Sequence, residues 1–220
     1  MIPLELAIIF VGYLLGSIPF GYLVTRLSSG QNILEIGARK TSGSNVINNI
    51  GFLPGLISGI CDFLKGSLAV LMAQHLGLSI QIQALCGAAA ITGHNWSCFL
   101  RFAGGRGLGT FLCALLVLSP KILLFSLIPL ALLTIVWNAA IGTIVFMITA
   151  MVLAGSTGQM TTIGVLPLIS LFPIFIKRLS PIRELSLQQR HLIINRLLFD
   201  NDWPCLELRL KKILKRIVKS

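Results

Sequence analysis

Acidic residues are scarce in this chain, since Asp and Glu account for only 7 of its 220 residues against 18 Lys and Arg. Charged residues of both signs make up 11% of the sequence, whereas soluble domains contain about a quarter. Hydrophobic residues reach 55%, with a mean hydropathy of +0.89. This balance excludes an ordinary soluble domain and indicates a polytopic helical membrane protein, because each spanning helix needs about 20 apolar residues.

Several chemical motifs are also missing. No CxxC pair occurs among the five cysteines, and four of them lie in apolar segments, so we interpret them as small buried hydrophobic residues. His94 and Cys98 are four positions apart, but two ligands do not make a metal site. The phosphate-binding loop of ATPases is absent, and no Ser/His/Asp set is recognisable from the spacing. No metal or organic cofactor is expected.

The net charge of +11 is concentrated in short segments. Sixteen of the eighteen basic residues lie within three of them, at 26–40, 101–106 and 177–219. Clustering in alternate loops is the positive-inside pattern of membrane proteins. The charge therefore predicts orientation and contact with anionic lipid, and it argues against nucleic acid as a partner.

Apolar runs predict a bundle of about seven transmembrane helices, with six or eight as alternatives. The N-terminus lacks a basic region and a convincing cleavage site, so the first run is interpreted as a retained span. With the basic loops inside, seven spans place the N-terminus outside and the C-terminus in the cytoplasm. The expected helices are 4–27, 51–75, 80–99, three short helices within 108–154, and a last helix ending at 176.

The chain divides into a polytopic domain at 1–203 and a basic tail at 204–220. Apolar residues of the tail recur on one helical face, at Leu206, Leu210, Ile213, Leu214 and Ile217. Such a helix can lie on an anionic membrane surface. A solvated positive-inside tail is an equally good interpretation.

Two charged residues lie inside the second apolar run. Asp62 and Lys65 are one helical turn apart, and charges at this depth usually face a cavity or the bundle interior. We favour a functional pair over a structural ion pair near the interface. Gly51, Gly55 and Gly59 recur every four residues in the same run and predict a close helix contact.

A basic, glycine-rich loop at 104–110 lies between membrane-length apolar runs. Glycines free the backbone to approach a ligand, and their N–H groups can face an anion. Arg106 adds a planar, permanently charged group suited to phosphate. Two interpretations stay open, a phosphate site at the membrane surface and a tight interhelical turn with a positive-inside arginine.

Taken together, these motifs resemble the bacterial acyl-phosphate:glycerol-3-phosphate acyltransferases. The matching segments are LGSIPFG at 15–21, DFLKG at 62–66, GHNWSCFL at 93–100 and FAGGRG at 102–107. Their order and spacing carry the resemblance, which extends over about 13–202. It implies an all-α integral membrane fold of seven helices in the bacterial inner membrane. It also implies synthesis of lysophosphatidate from glycerol 3-phosphate and a fatty acyl phosphate, as a step of phospholipid synthesis.

The resemblance breaks in the first cytoplasmic loop, where the family motif G-S-G-N-x-G-A-T-N-V-x-R corresponds to 37–48. The departures are Ala38 for serine, Lys40 for asparagine, Ser44 for threonine and Asn48 for arginine. Arg39 or Lys40 can restore the positive charge, but with a different geometry. The family's later H-x-x-N is replaced by Arg190 and Ile193 in the register set by Arg196.

The resemblance also implies roles for individual residues. Arg106 and the nearby amides hold a phosphate, while Asp62 fixes Lys65 as a second positive charge. Ser44 and Asn45 offer hydrogen bonds to substrate. The expected substrate-binding set is Ser44, Asn45, Asp62, Lys65, Gly104, Gly105, Arg106 and Gly107.

His94 is the candidate catalytic residue, because it can orient a polar group or transfer a proton. A satisfied interfacial histidine is the alternative. Two other functions also stay open, a catalytically weakened paralogue that binds lipid or a phosphate ligand, and a small membrane transporter.

Overall fold

The computed structural model describes residues 3–179 and 190–199, which form ten α-helices and contain no strand. The predicted all-α class is therefore confirmed for these residues. The helices are α1 (Leu4–Ser17), α2 (Phe20–Ser29), α3 (Gly43–Asn49), α4 (Phe52–His75), α5 (Ile80–Asn95), α6 (Leu108–Leu118), α7 (Pro120–Val136), α8 (Ala139–Ser156), α9 (Val165–Arg178) and α10 (Arg190–Phe199).

Within residues 3–179 and 190–199, three helical stretches are long and apolar enough to cross a membrane, namely Leu4–Ser29, Phe52–His75 and Ala139–Ser156. The described chain also has the shorter apolar helices Leu108–Leu118 and Pro120–Val136. The count of seven spans and the orientation of the termini stay predictions. The amphipathic tail predicted at 204–220 lies outside the described residues.

The first span is broken, whereas the sequence predicted a continuous helix at 4–27. α1 ends at Ser17 and α2 begins at Phe20. Pro19 explains the break, because proline donates no backbone hydrogen bond and pushes the preceding residue out of helical geometry. Ile18 accordingly has extended backbone angles, with φ −58° and ψ 116°.

The break ties the first span to the rest of the bundle. The last carbonyl groups of a helix lack intrahelical donors, so other groups must satisfy them. Ser97 Oγ donates to the carbonyl oxygen of Ser17, and Lys65 Nζ donates to that of Ile18 at 3.0 Å. A residue of α4 and one beyond α5 therefore hold the end of α1.

Other boundaries differ less from the prediction. The helix expected at 80–99 ends at Asn95, and Cys98–Leu100 forms a separate 3-10 turn. The polar loop expected at 28–45 contains the start of α3, a short helix that the sequence did not predict. The three helices expected within 108–154 are present as α6, α7 and α8.

The apolar core fills the middle of the bundle. Within it, the rings of Phe111 of α6 and Phe146 of α8 pack edge to face, with 5.5 Å between their centroids. Close helix contacts surround this core. Gly66 of α4 packs so near the backbone of Thr110 that a Cβ would overlap the Thr110 carbonyl oxygen. A similar contact joins α3 to α4, because a Cβ on Gly55 would overlap Ile47. The predicted glycine face of α4 is thus a close contact at Gly55.

Candidate active site

A cavity of about 910 Å³ lies where the polar loops meet the helix ends. Its wall contains three basic side chains and one carboxylate, from Lys40, Arg106, Arg178 and Asp62. Apolar side chains complete it, namely Ile47, Leu56, Ile60, Phe63, Leu108 and Ile174. A space of this composition suits a molecule with an anionic group and a hydrocarbon part.

Six of the nine candidate site residues line this cavity, namely Ser44, Asn45, Asp62, His94, Arg106 and Gly107. The other three lie next to them. Lys65 pairs with Asp62, while Gly104 and Gly105 pack against His94. The structure therefore brings together motifs that are separated by tens of residues in the sequence.

Asp62 is the centre of a buried polar cluster. Its Oδ1 atom lies 2.9 Å from Lys65 Nζ and 3.5 Å from His94 Nδ1, and all three side chains are buried. Thr110 Oγ1 donates to the Asp62 backbone carbonyl at 2.9 Å, which fixes this turn of α4 against α6. A buried carboxylate is costly unless it is paired, so Lys65 is the partner that makes Asp62 tolerable at this depth.

The glycine loop packs directly on His94. Gly105 N donates to the His94 carbonyl oxygen at 3.0 Å, and a Cβ on Gly105 would overlap the imidazole at Nε2. Only glycine allows this approach. The Gly105 amide is therefore used within the protein, contrary to the expectation that it faces a phosphate.

The residues after Gly105 do reach the cavity. Arg106 Nη1 donates to the carbonyl oxygen of Lys177, at the end of α9, and this bond orients the guanidinium in the wall. Gly107 follows with φ 74° and is the N-cap residue of α6, which begins at Leu108. The first turn of α6 borders the cavity, and the N–H groups of a first turn have no intrahelical acceptor. The first-turn amides of α6 therefore border the cavity, whereas the Gly105 amide bonds within the protein.

Asn45 organises the loop before α3. Its Oδ1 accepts from the Ala38 amide at 2.9 Å and from Asn49 Nδ2 at 3.0 Å. Its Nδ2 donates to the carbonyl oxygens of Ile36 and Lys40, at 3.2 and 2.9 Å. Asn45 therefore shapes the loop that brings Ala38 and Lys40 to the cavity, next to Ser44 in the first turn of α3.

The sequence analysis did not identify Arg178, a basic residue of the cavity wall. Arg178 belongs to the C-terminal basic segment, which the positive-inside pattern explained without a role in a site. In the structure its guanidinium is buried at the cavity wall. The sequence feature that could have indicated Arg178 as a site residue was its position at the end of the last apolar run.

The described residues contain no group of three His, Cys, Asp or Glu placed to hold a metal ion.

Comparison with known proteins shows which family this chain resembles in sequence. The profile described as glycerol-3-phosphate acyltransferase matches residues 6–187. A Dehalococcoides mccartyi protein named glycerol-3-phosphate acyltransferase 4 is 42% identical over 127 residues, covering 58% of this chain and 55% of the relative. A Thermus thermophilus glycerol-3-phosphate acyltransferase is 37% identical over 148 residues, covering 67% and 68%.

Two solved structures have the same fold. The crystal structure of PlsY (YgiH), an integral membrane glycerol 3-phosphate acyltransferase, in its glycerol 3-phosphate form is 25% identical with a TM-score of 0.72. The comparison covers 93% of this chain and 98% of that one. Its lysophosphatidic acid form gives 26% identity and a TM-score of 0.68, over 81% and 90%. The sequence match to the Dehalococcoides relative covers a smaller share than these structural comparisons do, little more than half of that protein's length.

Proposed function

This chain belongs to the glycerol-3-phosphate acyltransferase family, and from that premise we propose that it transfers a fatty acyl group from acyl phosphate to glycerol 3-phosphate. The product is lysophosphatidate, and the step belongs to phospholipid synthesis. One observation carries the proposal, namely that basic, carboxylate, imidazole and apolar groups line a single cavity of about 910 Å³.

The charge of the cavity suits this chemistry. Both substrates carry a phosphate, and Asp62, the one carboxylate among the described lining residues, is already paired with Lys65. Arg106 matches phosphate in shape and charge. We assign it to the phosphate of a substrate, with the first turn of α6 beside it. Ser44, in the first turn of α3 next to the loop that Asn45 shapes, offers a hydroxyl to glycerol 3-phosphate.

The reaction needs little covalent participation by the protein, because the acyl phosphate is already activated. A hydroxyl oxygen of glycerol 3-phosphate attacks the acyl carbon, and the bond from that carbon to the phosphate oxygen breaks. Inorganic phosphate leaves with the electron pair of that bond, and the hydroxyl proton passes to His94 or to the leaving phosphate. Positioning and electrostatic stabilisation lower the barrier of such a step. His94, which is held near Asp62 on the wall, orients the hydroxyl or accepts its proton.

The apolar part of the wall suits the acyl chain. Leu56, Ile60 and Phe63 lie on α4 and line the cavity, yet each is more than 40% exposed on the surface of the bundle. A hydrocarbon chain can pass along this face into lipid. From the family membership and the clustering of basic residues, we place this protein in the bacterial inner membrane, with loops 28–45 and 101–107 on the cytoplasmic side.

A catalytically weakened paralogue is the second candidate. Ala38 and Asn48 line the cavity without the hydroxyl and the guanidinium that the family motif supplies there. Such a protein binds the ligands and turns them over slowly. The transporter alternative was suggested by the intramembrane charges Asp62 and Lys65. Their ion pair at 2.9 Å gives both charges a role within the protein, so it does not require an ion pathway.

The test is an assay of the purified full chain with acyl phosphate and glycerol 3-phosphate, with lysophosphatidate as the detected product. Arg106→Ala should raise KM for a phosphate-bearing substrate by about 10- to 100-fold, because a charge-assisted hydrogen bond is lost. Arg106→Lys should keep more activity, since it retains the charge.

Thermal unfolding of the same variants is the control. Parallel losses of stability and activity in Arg106→Ala would favour a purely structural arginine. Absence of product from the folded parent would refute the acyltransferase proposal and leave the binding paralogue.

A further inference from the structure

Arg178 is the basic residue of the cavity wall that no motif indicated. It lies at the end of α9 and is 4% exposed. The other two basic residues of the wall, Lys40 and Arg106, come from loops. Arg178 thus adds a positive charge from a different element, within the same space.

The guanidinium of Arg178 has a fixed orientation. Nη2 donates to the Ala140 carbonyl oxygen at 3.0 Å, and Nη1 donates to that of Leu197 at 2.9 Å. The guanidinium carbon also lies 5.1 Å from the centroid of the Phe175 ring. Contacts with α8, α9 and α10 therefore order this long side chain. A group ordered in advance binds with a smaller loss of conformational entropy.

The cavity gives this cation a use. Burial of an arginine is costly, and a guanidinium matches the oxygen atoms of a phosphate through paired hydrogen bonds. Ala140 and Thr143 of α8 line the cavity beside Arg178. Arg178 comes from a different element than Arg106, although both border the end of α9, where Arg106 Nη1 donates to the Lys177 carbonyl oxygen. Acyl transfer brings two phosphate groups into one site, so two neighbouring cations each have an anion to bind.

We propose that Arg178 binds a phosphate group of a substrate in this cavity, as an anion contact separate from Arg106. The proposal rests on the proposed function for its choice of ligand, a phosphate monoester or an acyl phosphate. Arg178 is a binding residue in this account, and its bonds to α8 and α10 hold it in position.

Arg196 provides a matched control. It is also buried, at 3% exposure, and it also bridges α9 and α10, since its Nη1 donates to the Leu179 carbonyl oxygen at 3.2 Å. Unlike Arg178, it is not among the described residues of the cavity wall. A structural arginine and a ligand-binding arginine of the same helix junction can therefore be compared directly.

The experiment compares Arg178→Gln, Arg178→Lys and Arg196→Gln with the parent, as purified full chains in detergent. The measurements are Tm, KM for each substrate, and Kd for inorganic phosphate by titration calorimetry. Arg178→Gln should weaken phosphate binding by about 10- to 100-fold and raise KM for one substrate to a similar extent. Arg178→Lys should lie between it and the parent. Arg196→Gln should lower Tm and leave the Kd unchanged.

The substrate whose KM rises identifies the phosphate that Arg178 contacts. If Arg178→Gln and Arg196→Gln lower Tm alike and both keep the parental Kd and KM, the proposal is overturned. If Arg178→Gln does not fold, Arg178→Lys decides the matter by the same measurements. A parent that binds no phosphate also overturns the proposal.

Failure of the proposed function gives a different pattern. A parent without acyl transfer that still binds inorganic phosphate, and loses this binding in the folded Arg178 variants, refutes the enzyme and supports the anion contact. A parent with full activity whose Arg178 variants keep all parental constants supports the enzyme and refutes the contact.

Discussion

At the scale of single residues, Asp62 connects several parts of the polar cavity. Its carboxylate meets Lys65 and His94, and its backbone carbonyl meets Thr110. Lys65 in turn reaches the break in the first span. Removing one member of such a buried pair leaves an uncompensated charge, which costs more than the pair itself contributes.

Asp62→Asn should therefore lower the free energy of unfolding by about 3–5 kcal/mol, because Lys65 is left buried without its partner. Thermal unfolding in detergent measures this loss as a fall in Tm. The double variant Asp62→Asn with Lys65→Met should recover part of it, since both charges are then gone. Glu35→Gln, at an exposed carboxylate, should change stability by less than about 0.5 kcal/mol. Equal stability of Asp62→Asn and the parent would contradict this account.

Ala38 and Asn48 set a second prediction, because both line the cavity where the family motif has serine and arginine. The double variant Ala38→Ser with Asn48→Arg should raise kcat/KM by about tenfold, the value of one restored charge-assisted hydrogen bond. The Ala38 amide already donates to Asn45, so the loop geometry is expected to survive.

The comparison requires the parent, each single variant and the double variant in one assay. A highly active parent whose activity collapses in the double variant would show instead that Arg39 and Lys40 have rewired the loop. Activity in none of the four, with folding verified, would support the binding paralogue.

At the scale of helices, the sequence predicted elements that are set by apolar runs and missed those set by tertiary contacts. α4 begins one residue from its expected start, because a long apolar run leaves little choice. α3 was missed, since a seven-residue segment with glycine and asparagine has low helix propensity. Its helix depends on the Asn45 network and on contact with α4. Pro19 did not lead us to predict a break in the first helix, because membrane helices tolerate proline when neighbours satisfy the freed carbonyl groups.

The contact between α4 and α6 leads to a third prediction. Gly66→Ala should destabilise the protein by about 1–3 kcal/mol, because the new methyl group overlaps the Thr110 carbonyl oxygen and forces the helices apart. Gly155→Ala in α8 is the control, since nothing lies within 4 Å of its added Cβ. Helix propensity should make that change neutral or stabilising by up to about 1 kcal/mol. An equal change of Tm in Gly66→Ala and Gly155→Ala would show that the close contact between α4 and α6 does not contribute to stability.

At the scale of the whole molecule, the motifs identified the centre of the site but not its full wall. Asp62, His94 and Arg106 all line the cavity, and their roles in substrate binding and catalysis stay predictions. Arg178 was not predicted, because its neighbours in the wall come from distant parts of the chain that only folding brings together. A local sequence pattern shows that such a residue is charged, but it does not show which distant residues surround it in the folded protein.

Topology gives the fourth prediction, and Cys98 is a native probe for it. Cys98 is exposed in the turn between α5 and the glycine loop, whereas Cys86 is buried. In a Cys205→Ser background, a membrane-impermeant maleimide should label Cys98 only when the cytoplasmic face is open. Cys98→Ser in the same background is the control and should remove the signal. Labelling of Cys98 from intact cells would place the loop outside and reverse the orientation.

The broken first span has an evolutionary consequence. Lys65 donates to the Ile18 carbonyl oxygen, which stands at the end of α1 because Pro19 interrupts the helix. A descendant that replaced Pro19 with an ordinary residue would regain a continuous helix, and Lys65 would lose its backbone acceptor. Substitutions at these two positions should therefore be correlated across descendants of this chain, and Pro19 and Lys65 should be inherited as a pair although they lie in different helices.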